Sequence, residues 1–118
     1  ESDQAANASM CALDQDRFWD YHDILFANFG EATGAYTDRR LQAYAQSLGL
    51  DMTAFNACYK DKQFNDDIQQ DIADGNSLGV TGTPTVFVNG KRAGREGFVA
   101  SYEEISQMIE QELAAGGS

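Results

Sequence analysis

The only proline of the chain, Pro84, limits the fold more than any other residue. Proline lacks the N–H that helix interiors and central strand ladders require, so position 84 can begin a strand but cannot sit inside a helix. It lies in Val80-Thr81-Gly82-Thr83-Pro84-Thr85-Val86-Phe87-Val88-Asn89-Gly90. A glycine-containing loop leads into the proline, an alternating β-branched and aromatic run follows, and Asn-Gly closes it. Asn-Gly is the strongest short-range hairpin signal because both turn residues tolerate positive φ. The stretch predicts a strand over Thr85 to Val88, a tight turn, and a return strand from Lys91 to about Arg95. That return, Lys-Arg-Ala-Gly-Arg, is polar and suits a sheet edge. Val86 and Val88 on one face with Phe87 on the other predict burial on both sides, and hence neighbouring elements.

Everything before this stretch is free of proline and reads as a succession of helices joined by short loops. Ser2 to about Leu13 is alanine-rich. From Asp16, the residues Phe18, Trp19, His22, Leu25, Phe26 and Phe29 recur at three and four, predicting an amphipathic helix with a wide aromatic face that ends at Gly30. Glu31 to Tyr36 reads as a loop and Thr37 as an N-cap. Leu41, Tyr44, Ala45 and Leu48 mark the next helix, with Gly49 as its C′ residue. Asp51 caps a shorter helix that faces Met52, Phe55, Cys58 and Tyr59 one way. After Lys60 to Lys62, another turns Phe64, Ile68, Ile72 and Leu78 inward and stops at Gly79. Ser101 and Glu104 form a capping box ahead of Ile105, Met108, Ile109 and Leu113. The organisation that follows is a helical subdomain over 1–79, a ββα segment over 80–115 and a frayed tail at 116–118.

With 118 residues the chain makes one domain at most. Nineteen acidic against eight basic residues give a net charge of −11, which argues against phosphate backbones and anionic lipid surfaces as partners. No apolar run approaches the roughly 18 residues of a membrane span, and no signal-peptide pattern opens the sequence. Asp14, Asp16, Asp20 and Asp23 lack the spacing and glycine bend of a calcium loop, so they read as a solvated helix face. His22 is the single histidine. It reads as a residue packed on the helical core with one ring nitrogen bonded, since a zinc site would need ligands the sequence does not offer nearby. Phe18 and Trp19 read as core. Gly79-Val80-Thr81-Gly82 lacks the lysine of a phosphate-binding loop and precedes a strand. Neither cofactor nor metal is expected.

The proline stretch resembles the segment G-V-x-G-T-P-T-x-F-x-N-G of DsbA-like thiol-disulfide oxidoreductases of the thioredoxin fold. Upstream, Cys11-Ala12-Leu13-Asp14-Gln15-Asp16-Arg17-Phe18-Trp19-Asp20-Tyr21-His22-Asp23 is similar to that family's C-A-x-D-Q-x-x-F-W-x-Y-H-D helix. Tyr44-Ala45, Leu48-Gly49-Leu50-Asp51 and Phe55-Asn56-Ala57-Cys58 extend the likeness over most of the chain. The resemblance implies an α/β thioredoxin-like fold with a helical insertion. It also implies that the Pro84 peptide is cis and that the Thr83 backbone holds an extended substrate strand. The family's chemistry resides in a Cys-x-x-Cys at a helix N-terminus, where the dipole favours a thiolate. This sequence has no such motif, so no catalytic residue is assigned to it. The expectation is an incomplete domain, the insertion plus the C-terminal β-hairpin and helix, without an N-terminal βαβ unit of about 30 residues or more.

Cys11 and Cys58 both fall on predicted helices. Many relatives carry cysteines at these positions, so the resemblance makes them a structural disulfide candidate. Two buried thiols or a redox-active pair remain open readings of the residues. The function implied is part of a thiol-disulfide oxidoreductase that supplies the cis-proline side of the active site. The alternative is a non-catalytic peptide-binding or assembly module. Expected partners are thiol- or disulfide-containing polypeptides, a membrane redox partner for the parent protein, and either a second copy or the missing N-terminal unit. The resemblance implies an extracytoplasmic location.

Overall fold

The structure, a computed structural model, describes residues 2–30 and 34–116. Its elements are α1 (Ser2–Leu13), α2 (Phe18–Ala27), α3 (Asp38–Ser47), α4 (Met52–Lys60), α5 (Asn65–Ser77), β1 (Phe87–Val88), β2 (Lys91–Arg92) and α6 (Tyr102–Gly116). The chain divides into two compact units after Ile72, within α5. Residues 31–33 of the loop read between α2 and α3, and residues 117–118 of the tail read at 116–118, lie outside the described residues. Gly116 is the last residue of α6.

In the first unit, α1 is the central helix and touches α2, α3 and α4. Alanine explains this position. Ala5, Ala8 and Ala12 repeat at three and four and are buried, so backbones can approach closely while the helix keeps a high intrinsic propensity. Against them pack Tyr21 of α2, Leu41 and Ala45 of α3, Leu50, and Phe55, Cys58 and Tyr59 of α4. Tyr21 and Phe55 are the largest fully buried side chains. Tyr21 Oη donates to the Leu41 carbonyl at 2.8 Å, which satisfies a buried hydroxyl and ties α2 to α3. Gln15 pairs with both backbone groups of Asp51, donating to its carbonyl at 3.1 Å and accepting from its N–H at 2.8 Å. Thr37 and Asp51 cap α3 and α4 through the N–H groups of Arg40 and Ala54, and Gly49 leaves α3 with φ 75°.

The second unit is built differently. Asn89 and Gly90 both have positive φ, and β1 pairs antiparallel with β2 in the register Phe87↔Arg92 and Val88↔Lys91. The paired strands are shorter than the sequence predicts. Gly94, at φ 75°, turns the chain out of the ladder, and a two-stranded ribbon has no third strand to extend it. One further bond, Ala93 N–H to the Val86 carbonyl at 2.9 Å, continues the hairpin. Ser101 and Glu104 form the reciprocal capping box of α6, with bonds of 3.2 and 3.1 Å. Across the unit Lys91 Nζ lies 2.8 Å from Glu112 Oε2.

Several burial expectations fail. Among the described residues after Ile72 only Ala93 is buried. Val86 to Val88 are half-buried, whereas Ile109 and Leu113 of α6 stand exposed. Ile72 and Leu78 point outward as well, and α5 buries no residue. In the first unit, Trp19, Phe26 and Phe29 are 69%, 63% and 72% exposed, which corrects the reading of Trp19 as core. The reason is shared. Helical periodicity reports which face is apolar, but a face is buried only where another element covers it.

Candidate functional site

Thr81 to Val86 form an irregular segment leading into β1, exposed from Thr81 to Pro84 and half-buried at Thr85 and Val86. Thr85 Oγ1 donates to the Gly82 carbonyl at 2.6 Å, closing the loop as a side-chain-assisted turn. The Thr83–Pro84 peptide is cis. Thr83 and Pro84 are both exposed, and among the described residues neither the N–H nor the carbonyl of Thr83 has a hydrogen-bond partner. The backbone of an extended segment therefore stands open to solvent beside the hairpin.

A groove of about 280 Å³ lies against this segment. One wall is Thr81 to Val86, and the other is Arg92, Ala93, Arg95 and Gly97 to Ala100. Arg92 donates through Nη2 to the Gly79 carbonyl at 3.0 Å and lies over the Phe87 ring at 5.9 Å. The Arg95 guanidinium lies 4.6 Å over the ring of Phe98. Gly94 sets this corner, since a Cβ there would meet Ala100 Cβ at 3.1 Å in addition to the positive φ. Of the residues singled out from sequence, Thr83 and Pro84 line the groove. Arg92, Arg95, Phe98 and Val99 were not singled out. Two of the three positive charges in the run Lys91 to Arg95, read only as a polar edge, were the available signal.

The cysteines are not at this groove. Cys11 of α1 and Cys58 of α4 form a disulfide with Cα atoms 5.8 Å apart, across a sequence separation of 47. Both are buried, at 1% and 7% exposure, so thiol reagents in solution have little access to either sulfur. Next to Cys58, Tyr59 donates its hydroxyl to Asp38, and desolvation together with the Asp38 bond and charge pushes the phenol well above the ordinary tyrosine range. Asn7, buried on α1, donates to the Tyr59 carbonyl and accepts from the Phe64 N–H. His22 is half-exposed. Its Nδ1 lies 3.1 Å from Asp23 Oδ1, and its ring sits between Trp19 and Phe26. Among the described residues no cluster of histidine, cysteine or carboxylates could hold a metal ion, and no helix is long and apolar enough to cross a membrane.

The family described as Thioredoxin matches residues 1–111. The chain is also similar to three Na(+)/H(+) antiporters. It is 40% identical over 88 residues to NhaA 1 of Salinispora arenicola, and 39% over 88 residues to NhaA 3 of Salinispora tropica. It is 34% identical over 88 residues to NhaA of Herminiimonas arsenicoxydans. In each case the alignment takes in 75% of this chain but only 13 to 14% of the antiporter. The chain thus spans about an eighth of the length of these relatives. No solved structure matches it.

Proposed function

From the premise that this chain belongs to the thioredoxin family, we propose that it is the peptide-holding side of a DsbA-like thiol-disulfide exchange site. The observation that carries the reading is the open backbone of Thr83 beside the groove. An extended polypeptide can add to it as a strand, since main-chain bonds to Thr83 N–H and C=O would orient the peptide while the groove takes alternate side chains. Exchange itself is attack of a thiolate on a disulfide sulfur. The S–S bond breaks, a mixed disulfide forms, and the displaced sulfur leaves as thiolate. This sequence holds no Cys-x-x-Cys to attack with, and its one cysteine pair is buried away from solvent. In this reading the attacking thiol comes from an N-terminal βαβ unit on another segment or polypeptide. The substrates are thiol- or disulfide-bearing polypeptides outside the cytoplasm, and a membrane redox partner serves the parent protein.

A second reading is favoured by the relatives. A segment like this one makes up a small part of polypeptides named as Na(+)/H(+) antiporters, which supports a binding or assembly module appended to a larger protein. The two readings share the groove and differ in turnover. Unfolded, reduced insulin chains added to the isotopically labelled protein are expected to shift the backbone amide resonances of Thr81 to Thr83, Thr85 and Val86 and the carbon resonances of Pro84. Shifts confined to other residues would remove the groove from both readings. Reduction of insulin by dithiothreitol is expected to proceed at the background rate with the chain alone. Acceleration that appears when a Cys-x-x-Cys βαβ unit is supplied in trans supports the exchange reading, and its absence with groove binding intact supports the module.

A further inference from the structure

We propose that the groove selects polypeptide segments carrying an acidic side chain close to the cysteine they present. The inference rests on the reading of the groove as a peptide site and adds the class of peptide it prefers. Its basis is a reversal of charge. The chain carries 19 acidic and only 8 basic residues, yet the groove is lined by two arginines and, among the described residues, by no acidic one.

Both guanidiniums are available. Arg92 lines the groove and spends one N–H on the Gly79 carbonyl at 3.0 Å, its other side-chain N–H groups having no acceptor among the described residues. The Arg95 guanidinium has no hydrogen-bond acceptor among the described residues and lies over the Phe98 ring, 4.6 Å from its centroid. Neither has a carboxylate within ion-pair distance among the described residues. The acidic side chains nearest in sequence do not compete. Glu96, Glu103 and Glu104 do not line the groove; Glu104 Oε1 accepts from the Ser101 N–H, and its Oε2 lies 3.5 Å from where a Cβ on Gly94 would stand, without an ion pair to either arginine. A guanidinium resting over an aromatic ring is restrained by it, and its planar fork matches a carboxylate in two-point contact. Phe98 and Val99, 66% and 64% exposed, supply apolar contact for the peptide beside that carboxylate.

A strand laid against Thr83 presents every second side chain to the same face. An acidic residue two positions from the cysteine would then lie on the cysteine's side, toward the arginine wall. A lysine there would meet two positive charges in a groove with no carboxylate to neutralise them. The remainder of the chain, with its large negative charge, repels acidic segments at long range, so the selection is local to the groove.

The test uses the full chain and three dye-labelled extended peptides, each with one cysteine and with glutamate, glutamine or lysine two residues from it. Binding is read by fluorescence anisotropy. The glutamate peptide is expected to bind about fivefold tighter than the glutamine peptide, and the lysine peptide more weakly than either. The preference should shrink as ionic strength rises from about 0.01 M to 0.15 M, because the screening length falls from about 30 to 8 Å. Arg95→Gln is expected to bring the glutamate-to-glutamine ratio close to one, while Lys60→Gln, which removes a charge that does not line the groove, leaves the ratio in place. Equal binding of all three peptides would overturn the charge selection and leave the groove standing. Failure of every peptide to bind would overturn the groove reading and the selection with it.

Discussion

Tyr21 and Tyr59 show how burial converts an ordinary residue into a reporter of folding. Desolvation, with a smaller contribution from neighbouring tyrosines, pushes the Tyr21 phenol far above its usual range. Tyr59 is raised by desolvation and by its bond to Asp38. A group whose folded pKa exceeds its unfolded one contributes stability that is complete below about pH 10, the unfolded value, and lost as pH rises beyond it. Of the five tyrosines, Tyr21 and Tyr59 are therefore expected to stay un-ionised until the chain unfolds in alkali. In an ultraviolet titration they should appear as a late, steep step, and five smooth ordinary titrations would contradict this. Glu112 shifts the other way. The Lys91 ammonium and the Asn89 amide hold its carboxyl below the usual glutamate range. Its small contribution is present above that range and fades as pH falls through the lowered value, and Lys91→Met should return the carboxyl resonance toward normal. Removing the disulfide with Cys11→Ser and Cys58→Ser together is expected to cost roughly 2–4 kcal/mol in urea unfolding, because the bridge closes a long loop of the unfolded chain. The pairing was open in the sequence because spacing says nothing about distance. It became definite only where α1 and α4 lie side by side.

At the scale of elements, the boundaries were legible because they are local. Thr37, Asp51, Gly49 and the Ser101–Glu104 box act within a few residues of themselves, and the structure uses each one. Thr37→Ala and Asp51→Ala are each expected to lower stability by about 1 kcal/mol, measured by thermal unfolding, through loss of a cap to an orphan N–H. Phe55→Ala, which empties a fully buried position, should cost about 3–5 kcal/mol. What a helix does with its apolar side was less legible. On α4 the stripe of Phe55, Cys58 and Tyr59 is buried against α1, whereas on α2 only Tyr21 is buried and Trp19 and Phe26 are left in solvent, as is Phe29 just past the helix end. The two stripes look alike in sequence. They differ in whether a neighbour lies over them. The strands differ from expectation for a related reason, since ladder length depends on partners and Gly94 ends the one partner available.

For the whole molecule, the imbalance between the units dominates. The first has a continuous core of small and large side chains, while the second has one buried residue among those described and leaves Leu78, Phe98, Val99, Ile109 and Leu113 largely exposed. A two-stranded hairpin with one helix, α6, against it and only half-buried strand residues is marginal in water. Hydrogen exchange is therefore expected to be slow in α1 and α4 and close to unprotected in α6, and equal protection throughout would contradict the imbalance. The exposed apolar residues also predict association, by a second copy or by an added βαβ unit. A monomer that stays clean in light scattering at about 0.1 mM and does not bind such a unit would count against it. The sequence by itself determined the caps at Thr37, Asp51 and Ser101, the exit at Gly49, the turn at Asn89-Gly90, the kinship carried by the Pro84 stretch and the absence of a Cys-x-x-Cys, because each is written in adjacent residues. The second helix, read from Asp16 to Gly30, spans only Phe18–Ala27. Only the tertiary structure decided that Cys11 meets Cys58, that Trp19 faces water, and that two arginines converge on the groove beside Thr83. Those facts depend on residues far apart in the chain, or on which faces find a neighbour, and no local pattern encodes either.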